Sequence, residues 1–240
     1  MHSNGVKAIL FDLDNTLIDT RGAGEIAFEK VAELLRTRLH HGDIETICKK
    51  FKQKLLEESY QPFADLTIDQ VRINHWDKAI EESGGLDHDP SLAAQCYWLW
   101  KNTRLDHLCI PGPVQRLLQE LKTTHKLLLL TNGEAQTQRE KIQAVCCRGL
   151  FDAVVVGGEH AEEKPAPSIF QHCFHQLGVG PQDCIMVGDS LDTDILGGIN
   201  VGIRATVWIT DKGTIQPEAS IKPDYVLATV LELPSVLSTL

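Results

Sequence analysis

A regular alternation of short apolar runs with amphipathic segments, after about residue 110, is the feature that most constrains this fold. Four runs, KLLLLT, AVVV, CIMVG and ATVWI, are separated by segments with helical spacing, and DYVLA predicts a last short strand. Strand–helix alternation of this kind predicts parallel strands with helices on both faces of the sheet. An apolar run of the same type, VKAILF, lies near the N-terminus and is predicted to join the same sheet.

The region between this first strand and the alternating part of the sequence shows only helical patterns. One helix is predicted over residues 23 to about 60, a second begins after Thr67 as N-cap, and a third covers the stretch DPSLAAQCYWLWKNTRL. The sequence therefore predicts an α/β chain with two domains. Residues 1–22 and 108–240 are predicted to form a Rossmann-like parallel-sheet core, and residues 23–107 an inserted all-helical domain.

Composition excludes several classes of function. The chain of 240 residues has a formal net charge of −10, which argues against nucleic acid as a general partner. The apolar runs are too short to cross a membrane. The seven cysteines are irregularly spaced and include no C-x-x-C pair, so we expect a cytoplasmic protein without a disulfide framework or zinc site. Composition does not predict an oligomeric state.

Polar side chains follow the predicted strands at the points where those strands end. They are Asp12 and Asp14, then Thr131 and Asn132, then Lys164, and finally Asp189 with Asp192 and Asp194. In open parallel sheets, ligands bind beyond the carboxyl ends of the strands. We therefore expect these groups to converge on one crevice.

The spacing of Asp12 and Asp14 predicts a cation. Side chains at positions i and i+2 of a strand point the same way, so the two carboxylates would repel each other without one. Asp189 would add a third carboxylate, and an all-oxygen site with few ligands suits Mg²⁺ shared with a phosphate. Lys164 would balance the remaining negative charge. This combination favours phosphoryl transfer, in which a carboxylate can itself be the nucleophile.

Each of these residues also has a plainer interpretation. The D-x-D pair alone is as often a polar loop, Lys164 alone a solvated lysine, and Asp192 and Asp194 helix caps. A calcium loop is excluded, because its sixth position would be Leu17 instead of glycine. Gly22 and Gly24 lie too far from the strand for a dinucleotide fingerprint.

Four stretches together resemble the motifs of the phosphatase branch of the haloacid dehalogenase superfamily. They are DLDNT, LLLLTN, the lone Lys164 and GDSLDTD, which occur in this order. The helical insert resembles the C1-type cap of that family. Asp14 argues against a dehalogenase, whose ester intermediate is hydrolysed without an acid at that position.

The resemblance implies a role for each motif residue. Asp12 would be the nucleophile, and Asp14 would protonate the leaving alcohol and later activate water. Mg²⁺ would be held by the Asp12 carboxylate, the Asp14 backbone carbonyl and Asp189. Asp194 would contact Lys164 or a metal-bound water. The phosphate would be bound by the backbone N–H of Leu13 and by Thr131, Asn132 and Lys164.

The sequence thus predicts a Mg²⁺-dependent phosphatase acting on a small sugar phosphate. The alternatives are a phosphomutase of the same fold and, as a non-enzyme, a phospho-accepting signalling domain. If the sugar carries a carboxylate, the helical insert must supply a cation for it, and arginine suits this best. Arg72 and Arg104 are the candidates; the alternative is that each is an ordinary solvated helix residue.

Overall fold

The structure is a computed structural model that describes residues 5–39, 43–58, 66–84, 89, 91–211 and 220–240. Internal contacts divide the chain into a sheet unit, Met1–Asp19 with Cys109–Leu240, and a helical unit, Thr20–Leu108. The first boundary lies a few residues before the predicted one, because the first helix already begins at Thr20.

Among its described residues, the helical unit contains four long helices: α1 Thr20–Arg38, α2 Ile44–Leu56, α3 Ile68–Glu81 and α4 Leu92–Asp106. The prediction of one helix over 23–60 was wrong, because α1 ends at Arg38 and Asp43 begins α2 by accepting a hydrogen bond from Thr46 N. The predicted N-cap Thr67 is confirmed: its side chain accepts from Gln70 N in a capping box.

Aromatic side chains form the core of the helical unit. Phe51 stacks on Trp76 with ring centroids 3.9 Å apart, and it meets Trp100 edge to face at 5.3 Å. Trp100 is buried as a packing residue, whereas the neighbouring Trp98 is 43% exposed. Aromatic pairs of this kind add to the stabilisation that burial of their area supplies.

Over the part of the chain that the structure describes, the sheet unit contains six parallel strands: β1 Ala8–Phe11, β2 Lys126–Thr131, β3 Ala153–Val156, β4 Cys184–Gly188, β5 Ala205–Ile209 and β6 Tyr225–Leu227. Their order is β3-β2-β1-β4-β5-β6, so the predicted Rossmann-like parallel sheet is confirmed. Leu10 of β1 lies between Leu128 and Met186 of its two neighbours. The order reverses at β1 and β4, and such a switch point leaves a crevice at the carboxyl ends of the strands.

Helices cover this sheet: α5 Gly112–Leu121, α6 Ala135–Ala144, α7 Pro167–Leu177, α8 Leu196–Asn200 and α9 Leu233–Leu237. Phe170 and Phe174 of α7 pack on alternate residues of the central strands, including Leu10, Leu128 and Met186. Strands buried in this way need continuous apolar runs, which is the pattern in the sequence. Within the described ranges, none of the helices has the length and hydropathy needed to cross a membrane.

Candidate active site at the carboxyl edge of the sheet

The chain leaves β1 through a tight turn that carries two aspartates out of the sheet. Asp12 N still donates to Val187 O at 2.9 Å, which continues the β1–β4 ladder by one residue. Asn15 then adopts φ 55°, and its N–H donates to Ile18 O at 2.8 Å. Asparagine tolerates this left-handed conformation better than most residues. Because of this turn, the side chains of Asp12 and Asp14 do not point the same way, as they would at positions i and i+2 of a regular strand.

Lys164 lies between two carboxylates at the centre of this edge. Its Nζ donates to Asp12 Oδ1 at 2.7 Å, to Asp194 Oδ1 at 2.7 Å and to Leu130 O at 2.8 Å. The residue is only 3% exposed. All three ammonium N–H groups thus have an acceptor, which is the arrangement that a buried charge requires.

Asp194 can approach Lys164 because Gly188, at the end of β4, has no side chain to block it. Asp194 Oδ2 also accepts from Ser190 N at 3.1 Å, across the single π-helical turn Leu191–Ile195. A Cβ on Gly188 would lie 2.2 Å from Asp194 Cγ, so only glycine fits at the end of β4. A contact with Lys164 is one of the two that the family resemblance implies for Asp194, the other being a metal-bound water.

The site holds more negative than positive charge. Burial raises the pKa of Asp12 to about 7; the Lys164 ammonium acts against this, and the Asp194 and Asp14 carboxylates add to it. Burial likewise raises the pKa of Asp194. Burial on its own would lower the pKa of Lys164, but the charges of Asp12 and Asp194 outweigh it and raise that pKa. Lys164 therefore stays charged, and one ammonium cannot neutralise the carboxylates around it.

Three carboxylates fit the binding of a divalent cation. Oxygen atoms of Asp12, Asp189 and Asp194 all lie within 4.8 Å of one another. An all-carboxylate donor set with excess negative charge suits a hard cation such as Mg²⁺. Asp14 is not in this cluster. The sequence-based expectation that both carboxylates of the D-x-D pair would face one cation is thus replaced by a different arrangement.

The Asp14 carboxylate is paired with a second buried lysine, which the sequence analysis missed. Lys141 Nζ donates to Asp14 Oδ1 at 2.8 Å and to Oδ2 at 2.7 Å. Gln138 Nε2 donates to Asp14 Oδ2 at 3.2 Å. A signal was present: the face of α6 that is buried carries Gln138 and Lys141 beside Ile142, where an apolar stripe is usual.

The predicted phosphate-binding residues lie at the last position of β2 and in the loops after β1, β2 and β3. Thr131 and Leu13 are buried at the ends of their strands. The Asn132 side chain joins two loops, because Nδ2 donates to Lys164 O at 2.7 Å and Oδ1 accepts from Lys164 N at 3.0 Å. The side chain of Asn132 therefore holds the main chain of Lys164 in place.

The two candidate arginines lie in the helical unit and both have partners there. Arg72 Nε donates to Glu58 Oε2 at 3.2 Å, with both side chains mostly buried. The Arg104 guanidinium lies over the Trp100 ring, 5.1 Å from its centroid. These contacts orient the two side chains within the helical unit.

Comparisons with known proteins show the family to which this chain belongs. A family model for haloacid dehalogenase-like hydrolases matches residues 6–202. The N-acylneuraminate-9-phosphatase of Rattus norvegicus is 50% identical over 98% of this chain and 95% of its own. The stretches LLLLTNG, QTQREKI and EEKPAPSIF resemble the sequence of this kind of phosphatase.

Solved structures support the same fold. A magnesium-bound hydrolase of this superfamily from Bacillus subtilis superposes with a TM-score of 0.69, at 21% identity over 98% of this chain and 99% of that one. A 2-haloacid dehalogenase from Pseudomonas syringae gives 0.67 at 25% identity, over 98% and 99% of the two chains. One fold thus accompanies different chemistries, and the site residues must distinguish them.

Proposed function

Because the chain belongs to the haloacid dehalogenase-like hydrolases, we propose that it is a Mg²⁺-dependent phosphatase that works through an aspartyl-phosphate on Asp12. The observation that carries this proposal is the buried Asp12 carboxylate, bound by Lys164 and grouped with Asp189 and Asp194 at the switch point of the sheet. A carboxylate held in one orientation beside a cation site is suited to attack a phosphorus atom. The cytoplasmic location stays a prediction from the cysteine pattern.

The reaction has two half-reactions at the same phosphorus. In the first, an Asp12 oxygen forms a bond to phosphorus while the ester P–O bond breaks, and Asp14 donates its proton to the leaving oxygen. In the second, water attacks the phosphorus while the bond to Asp12 breaks, and Asp14 accepts a proton from that water. Over a full turnover Asp14 gives up one proton and takes one back, so its protonation state is restored.

The remaining motif residues would neutralise and orient the phosphate. Mg²⁺, held by the carboxylates of Asp12 and Asp189 and the Asp14 carbonyl, would offset the charges of the nucleophile and the phosphoryl oxygens. Phosphoryl transfer depends largely on such positioning and charge neutralisation. The phosphoryl oxygens would be bound by Leu13 N–H, Thr131, Asn132 and Lys164.

The substrate that we propose is an N-acylneuraminate 9-phosphate, released as the free sialic acid. The identity of 50% to a phosphatase named for that substrate supports this over nearly the whole chain. This substrate carries a carboxylate far from its phosphate. The charges of the sheet unit would be occupied by Mg²⁺ and phosphate, so the helical unit must supply the cation for that carboxylate.

A panel of phosphate esters tests both parts of this proposal. With Mg²⁺ present, phosphate release from N-acylneuraminate 9-phosphate is expected to exceed release from hexose phosphates by at least about 10²-fold in kcat/KM, because several polar contacts are lost with the wrong sugar. A chelator is expected to abolish release and added Mg²⁺ to restore it. Equal rates on hexose phosphates would contradict the substrate, and full activity in chelator would contradict the metal site.

Replacement of the arginine that binds the substrate carboxylate is expected to lower kcat/KM for the 9-phosphate by about 10- to 150-fold, as for a lost hydrogen bond to a charged group. Arg72→Ala and Arg104→Ala are the two variants to measure. Hydrolysis of p-nitrophenyl phosphate, which has no distant carboxylate, should change less than about twofold if only that contact is lost.

Arg38→Ala is the matched control for these variants. Arg38 lies in the same unit, is exposed, and donates to Gln95 Oε1 at 2.7 Å. It should retain the wild-type preference for the 9-phosphate. If Arg72→Ala and Arg104→Ala both keep that preference as well, neither arginine binds the carboxylate.

A further inference from the structure

The buried face of α6 contacts Asp14, which lies near the N-terminus of the chain. Lys141 is 3% exposed and Gln138 is 5% exposed, and both donate to the carboxylate of Asp14. Lys141 Nζ is close to both carboxylate oxygens, at 2.8 and 2.7 Å. Burying a lysine is costly unless it is paired and hydrogen-bonded, so this contact determines where the Lys141 side chain lies.

Gln138 supports the same carboxylate from a second direction. Its Nε2 donates to Asp14 Oδ2 at 3.2 Å and to Asn132 O at 2.7 Å, which ties Asp14 to the loop after β2. The two donors approach from successive turns of one helix face, as residues three apart do. With donors on both oxygens, the plane of the Asp14 carboxylate is held in one orientation.

The position of α6 is itself determined by the loop that precedes it. Glu134 caps the helix by accepting from Gln136 N and Thr137 N. Gly133 has φ 120°, a conformation that favours glycine, and a Cβ there would lie 2.6 Å from Gln138 Nε2 and displace that amide. Gly133 N donates to Glu163 Oε2 at 3.0 Å, next to Lys164. The support of Asp14 is thus continuous with the loops that carry the other site residues.

We propose that Lys141, assisted by Gln138, is a positioning residue that holds the Asp14 carboxyl group in the orientation needed for proton transfer. This proposal rests on the proposed function, in which Asp14 first donates a proton to the leaving oxygen and then accepts one from water. Lys164 and Lys141 accordingly have separate tasks: Lys164 pairs with the nucleophile Asp12, and Lys141 orients Asp14. Lys141 can orient Asp14 without contacting the substrate.

The test compares Lys141→Met with wild type on two kinds of substrate. Rapid-quench measurement of alcohol release in the first turnover isolates the half-reaction in which Asp14 acts as acid. For the best alkyl phosphate of the panel, Lys141→Met should slow this step by roughly 10²-fold, the lower end of what general acid–base catalysis contributes, with KM little changed. For p-nitrophenyl phosphate, whose leaving group needs no proton, the same step should slow less than about fivefold.

Three further variants separate positioning from damage to the fold. In the Asp14→Asn background, Lys141→Met should add nothing, because both changes remove the same function. Lys141→Arg should recover part of the rate on the alkyl phosphate. Arg139→Met is the matched control, since Arg139 lies on the same helix but pairs with Glu159 at the surface; it should behave as wild type.

Equal losses on both substrates, or additive losses with Asp14→Asn, would overturn the proposal. If Lys141→Met does not fold, Gln138→Met carries the same test, because it removes a donor and no charge; a roughly tenfold loss confined to the alkyl phosphate is then expected. If Asp12→Asn remains active, the proposed function itself fails. If Asp12→Asn is inactive and Lys141→Met keeps the wild-type profile, the role of Lys141 alone is refuted.

Discussion

Asparagine in place of Asp12 is expected to lower turnover by at least about 10⁴-fold, in the range that follows removal of a covalent nucleophile. The amide oxygen is a poor nucleophile and cannot form a stable acyl phosphate. The introduced asparagine has almost the shape of the aspartate and can still accept the hydrogen bond from Thr16 Oγ1, which is 3.2 Å from Asp12 Oδ2. The measurement is phosphate release in the presence of Mg²⁺, together with a thermal melt.

The melt should show a fold that is as stable as wild type or more so. Asp12 is buried beside Asp194 and Lys164, and the neighbouring carboxylates contribute to its raised pKa. Removal of the Asp12 charge relieves its repulsion with the neighbouring carboxylates. Residues placed for activity often lower the stability of the fold in this way. Asp183→Asn is the matched control, because Asp183 pairs with Lys7 at 2.8 Å at the opposite edge of the sheet. Near wild-type turnover by Asp12→Asn would rule out the covalent mechanism.

Lys164→Met is expected to lower the free energy of unfolding of the metal-free protein by about 3–5 kcal/mol, the usual cost of breaking a buried ion pair from one side. The change leaves the carboxylates of Asp12 and Asp194 buried without the ammonium that bonds to both of them. Leu130 O also loses its donor. Denaturant unfolding in the presence of a chelator measures the effect.

The loss in Lys164→Met should depend on pH in a defined direction. Burial raises the pKa of both Asp12 and Asp194, and the Lys164 ammonium opposes this rise, so in the variant the native state should bind protons still more tightly, relative to the unfolded chain, than in wild type. Stability therefore falls as pH rises above the unfolded value of about 4, and the variant should be less impaired at pH 5 than at pH 8.

Two further variants test this explanation. Lys122→Met is the matched control: Lys122 donates to two backbone carbonyls and lies 3.8 Å from Asp152 Oδ1, but its side chain is one-third exposed, and its loss should cost about 1 kcal/mol or less. Adding Asp194→Asn to Lys164→Met should recover part of the stability, because one unpaired charge disappears. A loss in Lys164→Met no larger than that in Lys122→Met would contradict a buried charge cluster.

The sequence by itself determined the fold class and the residues at the edge of the sheet. Parallel strands covered on both faces need uninterrupted apolar runs, and these are visible in KLLLLT or CIMVG without any structure. Polar residues directly after such runs lie at the carboxyl ends of strands by geometry alone. For this reason Asp12, Thr131, Lys164 and Asp189 could be grouped before their distances were known.

Only the tertiary structure decided how the charges of the site are paired. β1 lies between β2 and β4, and this order brings Lys164 to Asp12 and α6 to Asp14 across more than a hundred residues. A lysine and a glutamine on a helix face that is usually apolar indicate buried polar partners, but they do not reveal which residues those partners are. The break between α1 and α2 was likewise hidden, because helical spacing continues on both sides of Asp43. Local periodicity reports which face of an element is buried, whereas the identity of the group that it faces depends on the order of the strands.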